Sequence, residues 1–335
     1  MLDRWAIKGH IDRQLSAARE AMPPRVRRAF DTLLQERQLF TPDPAPGVGA
    51  LRHPLFELPV WIAGRLEDDG VETPVEALAD VLGYSALGYL HARAQDDWFD
   101  GPSREDPTLI ALAEALIALC NRLLVSVVGT SPRFWACYGE IYGAYAESLL
   151  RADELRRTAA VVPRSTFEQL LAQSRPLVLP SAALLDRADR WRLMPDLEEF
   201  VFAATAASQL FNDLTDVYRD RRMGHRTWTL EAIGDSGADR LWLDVLGASG
   251  GEGAGRFQER IAEALSFNQR AARAAGALGL TAAEGWLANR QAALEGLIPS
   301  LRENLLTTFL QRIAELGDSK DTPASGSGRE DKGEL

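Results

Sequence analysis

Of the 335 residues, 46% are hydrophobic and 25% are charged, a globular balance with enough chain for one large core or two smaller ones. Asp and Glu number 48 against 37 Lys and Arg, so the formal charge is −11, a sign that repels phosphate backbones and excludes nucleic acid as a first partner. Two cysteines, Cys120 and Cys137, exclude a disulfide scaffold and a cysteine-rich zinc site.

The periodicity is helical almost throughout, with no convincing alternating strand. Helices are expected over 4–20, 24–38, 51–66, 74–100, 106–128, 132–157, 165–188, 195–220, 238–246, 256–277 and 281–316. Start signals support several of them. Thr73-Pro74-Val75-Glu76 and Ser165-Thr166-Phe167-Glu168 have capping-box form, and Ser131-Pro132 opens a third helix. Pro176 and Pro180 should kink or split the 165–188 segment. Gly101-Pro102 and Gly224 read as stops, while 41–50 and the glycine-rich 247–255 read as loops. The glycines of 247–255 neither follow a strand nor precede Lys-Ser/Thr, so they are a surface loop rather than a phosphate cradle. Residues 317–335 are polar, small and charged, the composition of a disordered tail behind a single all-α domain over 1–316. No uninterrupted apolar run approaches the ~20 residues of a membrane span. The polar N-terminus does not read as a signal peptide, so a soluble, cytoplasmic chain without stable membrane insertion is expected.

Two acidic clusters carry the functional information. Asp96-Asp97-Trp98-Phe99-Asp100 ends one long helix, and Asn212-Asp213-Leu214-Thr215-Asp216-Val217-Tyr218-Arg219-Asp220 ends another. Asp96 and Asp100 share a face, about 6 Å apart along the axis, and Asn212, Asp216 and Asp220 form a drifting stripe. Carboxylates at a helix C-terminus oppose the helix dipole, and like charges four residues apart repel. An acidic run is ordinarily a solvated face. Here each run follows a small, apolar stretch that looks buried, and Trp98 and Phe99 lie inside the first. Paired carboxylates at the mouth of an apolar bundle suit Mg²⁺, which takes a few carboxylates plus substrate phosphate oxygens.

On these residues the sequence resembles the class I isoprenoid synthase superfamily, the terpene cyclases and trans-prenyl diphosphate synthases. Asp96-Asp97-x-x-Asp100 is similar to its first aspartate-rich motif without substitution. The second cluster is similar to N-D-x-x-S/T-x-x-x-E: Asn212 and Asp213 match, Asp216 replaces Ser/Thr, Asp220 replaces Glu, and Gly224 falls at the usual spacing. The resemblance covers about residues 45–300 and is carried by these two motifs. It implies an all-α, single-domain helical bundle around a central apolar cavity, with three Mg²⁺ ions held by Asp96, Asp97, Asp100, Asn212, Asp216 and Asp220. The ions and nearby arginines would stabilise the departing diphosphate, and the cavity would shield the cation left behind. Arg175, in the Gln173-Ser174-Arg175-Pro176 kink, stands where relatives sense diphosphate; otherwise it is a surface arginine beside a structural proline. Arg219 and Arg222 either reach phosphate or pair with Asp216 and Asp220. Relatives often form homodimers. The Arg-Tyr pair that many cyclases carry near the C-terminus is absent.

Elongating relatives hold isopentenyl diphosphate with a basic GGKxxRP-like segment and an arginine pair. Here Gly47-Val48-Gly49-Ala50-Leu51-Arg52-His53-Pro54 lacks the lysine, and Arg104 stands alone after the first motif. A second diphosphate then has little to hold it. The favoured reading is a terpene synthase that ionises and cyclises farnesyl or geranylgeranyl diphosphate. The alternatives are a trans-prenyl diphosphate synthase and an inactive helical partner subunit. Candidate cavity aromatics, for cation stabilisation or as plain core, are Phe99, Trp135, Tyr138, Tyr142, Phe211 and Trp286, with Tyr145 and Phe202 comparable. The histidines, His10, His53, His91 and His225, lack zinc-helix spacing, and His91 is expected to face the cavity below the metals.

Overall fold

The computed structural model describes residues 4–36, 54–100, 106–158, 162–223, 227–233, 252–300 and 303. Every regular element among them is helical, and there is no strand. In chain order the helices are α1 (Arg4–Ala21), α2 (Pro24–Glu36), α3 (Pro54–Asp68), α4 (Val75–Asp100), α5 (Pro107–Val128), α6 (Pro132–Thr158) and α7 (Arg164–Leu170). A 3₁₀ segment, Leu171–Val178, leads into α8 (Leu179–Arg187), and a short 3₁₀ turn, Trp191–Leu193, leads into α9 (Met194–Met223). Then come α10 (Trp228–Ile233), α11 (Glu252–Leu278) and α12 (Thr281–Glu295).

The expected 165–188 helix is split as the prolines demand. Pro176 lies inside the 3₁₀ segment, and Pro180 sits in the first turn of α8, where a missing N–H costs nothing. The Ser165-Thr166 capping box does not form. α7 starts at Arg164 with Pro163 at its N-cap and no side-chain cap, and Thr166 is buried inside the helix. Glu252–Gly255, expected in a loop, instead form the first turn of α11. α10 was not anticipated: its six residues are too few for a periodicity to register. The expected 238–246 helix, the 41–50 loop, both glycine stops and the 317–335 tail lie outside the described residues.

α5 shows how such a helix begins and ends. The Asp106 side chain accepts a hydrogen bond from the Thr108 N–H, Pro107 occupies the first turn, and Gly129 closes the helix at φ +58°, a backbone conformation that side-chain-bearing residues rarely adopt. By length and mean hydropathy α5 is apolar enough to cross a membrane, although Glu114 and Arg122 interrupt it. One face, with Leu112, Leu116, Cys120 and Leu124, is buried against α4. The most extensive packing joins α9 to α11 and α4 to α5. One large apolar cluster runs through α1–α9, α11 and α12. A smaller one, with Leu214, Val217, Leu230, Phe257, Ile261 and Leu297, lies at the end of α9 that carries the second acidic cluster.

Candidate functional site

The first acidic cluster ends α4, one turn beyond the buried Leu90 and Ala94. Arg93 reaches up from that turn: Nη1 donates to Asp96 Oδ2 at 2.9 Å, and Nη2 stands 3.7 Å from Asp97 Oδ1. Gln95, between them in sequence, accepts a hydrogen bond from the hydroxyl of Tyr145 on α6. Tyr145 is buried, and burial together with the nearby Asp96 charge pushes its phenol well above the usual range. Phe99 packs edge-on against Trp98 at 4.9 Å. The Asp100 side chain lies outside the described residues.

The second cluster divides across α9. Asn212 is exposed, whereas Asp213 and Asp220 are buried and Asp216 is half-buried. The helical phase explains this. Leu210, Leu214 and Val217 anchor α9 in its packing, and Asp213 lies three residues after Leu210 and four before Val217. Asp220 is seven residues on, back on the same face. The buried acids are therefore Asp213 and Asp220, with Asp216 at the edge of the same face and Asn212 about 100° away from Asp213. Asp213 Oδ1 accepts from Gln209 Nε2 at 2.8 Å. Burial, followed by the charges of Asp220 and Asp216, raises its carboxyl to about 7.

Asp213 faces a cavity of about 250 Å³. Thr205, Gln209 and Asp213 form one wall from α9, and Gln173 and Ser174 another from the 3₁₀ segment. Ala152 of α6, Phe167 and Leu170 of α7, and Trp228 of α10 line the rest with Val162, Leu171 and Thr227. Gln173 and Ser174 thus line the cavity from the 3₁₀ segment that contains Pro176. Trp228 is fixed from behind, its Nε1 donating to Glu263 at 3.3 Å and the Arg260 guanidinium lying 4.6 Å over its ring. The cavity is just under the roughly 300–1,000 Å³ of most ligand pockets.

α6 links the two clusters. Tyr145, beside the first, and Ala152, on the cavity that Asp213 lines, share one face of α6 two turns apart, about 10 Å. Trp135, Tyr138, Tyr142 and Tyr145 form a ladder along α6 with successive ring separations of 5.3, 4.5 and 5.8 Å. Each polar tip is held: Trp135 by the Gly129 carbonyl, Tyr138 by Asn121, Tyr142 by Tyr84, and Tyr145 by Gln95. Ladder residues Trp135, Tyr138 and Tyr142 do not line this cavity, and neither do Phe99, Phe211 or Trp286; its aromatic walls are Phe167 and Trp228. Trp286 packs with Trp61 and Phe200 under Arg290, and Phe211 packs between the two apolar clusters.

Of the basic candidates, Arg175 pairs with Glu198 at 3.1 Å. Arg219 pairs with Asp216 at 2.6 Å and lies 3.8 Å from Asp220. The Arg222 side chain is outside the described residues. His91 does not face the cavity: its Nδ1 bonds the Ala113 carbonyl of α5 at 2.9 Å, and burial keeps the ring neutral by lowering its pKa. Asp213, Gln209 and Tyr145's tie to Gln95 went unassigned in the sequence. The signal for Asp213 was present in the apolar phase Leu210–Leu214–Val217.

Among the described residues, no three His, Cys, Asp or Glu side chains stand together as a ready-made metal cage. The donor chemistry nevertheless fits a hard divalent cation, since Mg²⁺ binds through one or two carboxylates with waters and phosphate oxygens completing its shell. A buried carboxylate raised to about 7 beside two further carboxylates is a charge distribution that a cation relieves. No family model, curated protein or solved structure matches the chain.

Proposed function

We propose that the chain is a cytoplasmic, Mg²⁺-dependent enzyme of the class I isoprenoid synthase kind, a terpene synthase that acts on farnesyl or geranylgeranyl diphosphate. The observation that carries this reading is Asp213, a buried acid facing a cavity, with Asp216 and Asp220 on the same helical face; the Asp96–Asp97 pair ends α4, where Gln95 accepts a hydrogen bond from Tyr145 of α6. Asp96 and Asp97 on one side and Asp213, Asp216 and Asp220 on the other would hold the ions, with Asp100 joining them by its place in the first motif. Bound there, Mg²⁺ supplies positive charge that stabilises the departing diphosphate.

The chain's own groups do the rest. Gln209 fixes the rotamer of Asp213 through its amide and keeps one carboxylate oxygen oriented. Arg219 pairs with Asp216 at the end of α9 that carries the acidic line and would meet an anionic group arriving there, whereas Arg175 pairs with Glu198, about 27 Å back along α9, and does not serve that end. Phe167, Leu170, Leu171 and Trp228 provide apolar wall that excludes water from a reactive cation.

Incubation with each allylic diphosphate and Mg²⁺, with and without isopentenyl diphosphate, followed by mass spectrometry, tests the reading. The expected product is a cyclic hydrocarbon or alcohol that forms without isopentenyl diphosphate. A longer diphosphate that requires it would assign the chain to elongation. No product from either, with helicity intact by circular dichroism, would assign it to a non-catalytic helical subunit.

A further inference from the structure

We propose that Arg93 is an internal counter-ion that surrenders the Asp96–Asp97 pair to a divalent cation and then takes the substrate's diphosphate, so that anion capture is tied to metal loading. This rests on the metal reading of the first cluster given above. Arg93 stands one turn below that cluster and spans it, 2.9 Å from Asp96 and 3.7 Å from Asp97. It thus places positive charge where two adjacent carboxylates meet the negative end of the α4 dipole. Neither contact is strong: the side chains of Arg93, Asp96 and Asp97 are 30%, 40% and 29% exposed, and pairs at this helical spacing contribute weakly. A divalent ion therefore displaces the guanidinium at little cost.

The guanidinium is also incompletely satisfied. Its Nε is buried and has no hydrogen-bond acceptor among the described residues, so one edge of the donor fork has no partner while the carboxylates hold the other. Freed from Asp96 and Asp97, the same group offers a planar set of N–H donors suited to two phosphate oxygens. On a long flexible stem next to the metal site, it need move only by rotation about its own side-chain bonds. The backbone under it stays fixed, because Gln95, on the same turn, is tied to Tyr145.

The test separates this role from a structural one because its two readouts move in opposite directions. Mn²⁺ standing in for Mg²⁺ is titrated into the wild type and Arg93→Gln with EPR detection of free ion, and inorganic diphosphate is then titrated by calorimetry at saturating Mn²⁺. Arg93→Gln should bind the metal about two- to fivefold more tightly once its competitor is gone. It should bind diphosphate at least about tenfold more weakly. Arg93→Lys, a gentler change, should retain competition with the metal and recover part of the diphosphate affinity. Unchanged or weaker metal binding in Arg93→Gln, or undiminished diphosphate binding, would overturn the proposal. If Arg93→Gln does not fold, an Arg93→Lys protein that matches wild type in both titrations has the same effect. Wild-type protein that binds no Mn²⁺ would instead remove the underlying metal reading; wild type that binds both ligands, with variants indistinguishable from it, removes only the role of Arg93.

Discussion

At Asp213 burial and charge oppose each other, and pH decides between them. Its carboxyl is raised to about 7, mainly by burial, from an ordinary carboxylate value of about 3.9 when unfolded. Between those values the folded chain holds a proton that the unfolded chain has lost, so this residue's contribution to stability falls as pH rises from about 4 through about 7. Thermal melts should show that fall in metal-free wild type and not in Asp213→Asn, the variant gaining on wild type by up to a few kcal/mol by pH 8. Mg²⁺ should raise the wild-type melting temperature more at pH 8 than at pH 5; an equal rise at both would contradict the assignment. In turnover, Asp213→Asn should lose orders of magnitude and Asn212→Ala far less, since Asn212 faces outward. At this scale the sequence was half legible. The acidic motif was visible, but its inward line shifts by one residue, because the apolar phase of α9 and not the spacing of the acids sets which side chains are buried.

The elements show what was legible and why. Helices α1, α2, α4, α5 and α6 fall within two residues of expectation because capping residues, prolines and long apolar periodicity agree there. The segment from Arg164 to Arg187 departs in detail. Two prolines specify a break but not its form, a 3₁₀ stretch. α6 is a stripe of aromatics whose hydroxyls were unassigned, since their partners, Tyr84, Asn121 and Gln95, are on other helices. The Tyr84–Tyr142 pair, 3.1 Å apart, gives a clear prediction. Tyr142→Phe leaves the Tyr84 hydroxyl buried and unpaired and should cost about 1–3 kcal/mol. The double variant with Tyr84→Phe should cost less than the sum of the single changes, as a double-mutant cycle by urea denaturation would show. At the α11–α12 turn, Gly279 holds φ +70°, and an added Cβ would stand 2.5 Å from Arg65 Nε. Gly279→Ala should therefore cost about 1–2 kcal/mol from its backbone alone, read in the same denaturation experiment.

For the molecule as a whole, all-α character was fully legible, because Ala, Leu, Arg and Glu favour helix at most positions and no alternating segment competes. The link that α6 makes between the two acidic clusters was not. It depends on α6 lying against α4 through Tyr145 and against the cavity through Ala152, a long-range arrangement that local periodicity does not encode. On the function proposed above, activity would require both acidic sets at once, with neither sufficient alone. Release of inorganic diphosphate from farnesyl and geranylgeranyl diphosphate by purified protein, measured with Mg²⁺ and then with EDTA, tests this most directly. The account predicts release that requires the metal and is lost in both Asp97→Ala and Asp213→Asn while the variants stay folded. Release that persists in EDTA, or that survives both substitutions at near wild-type rate, would contradict it.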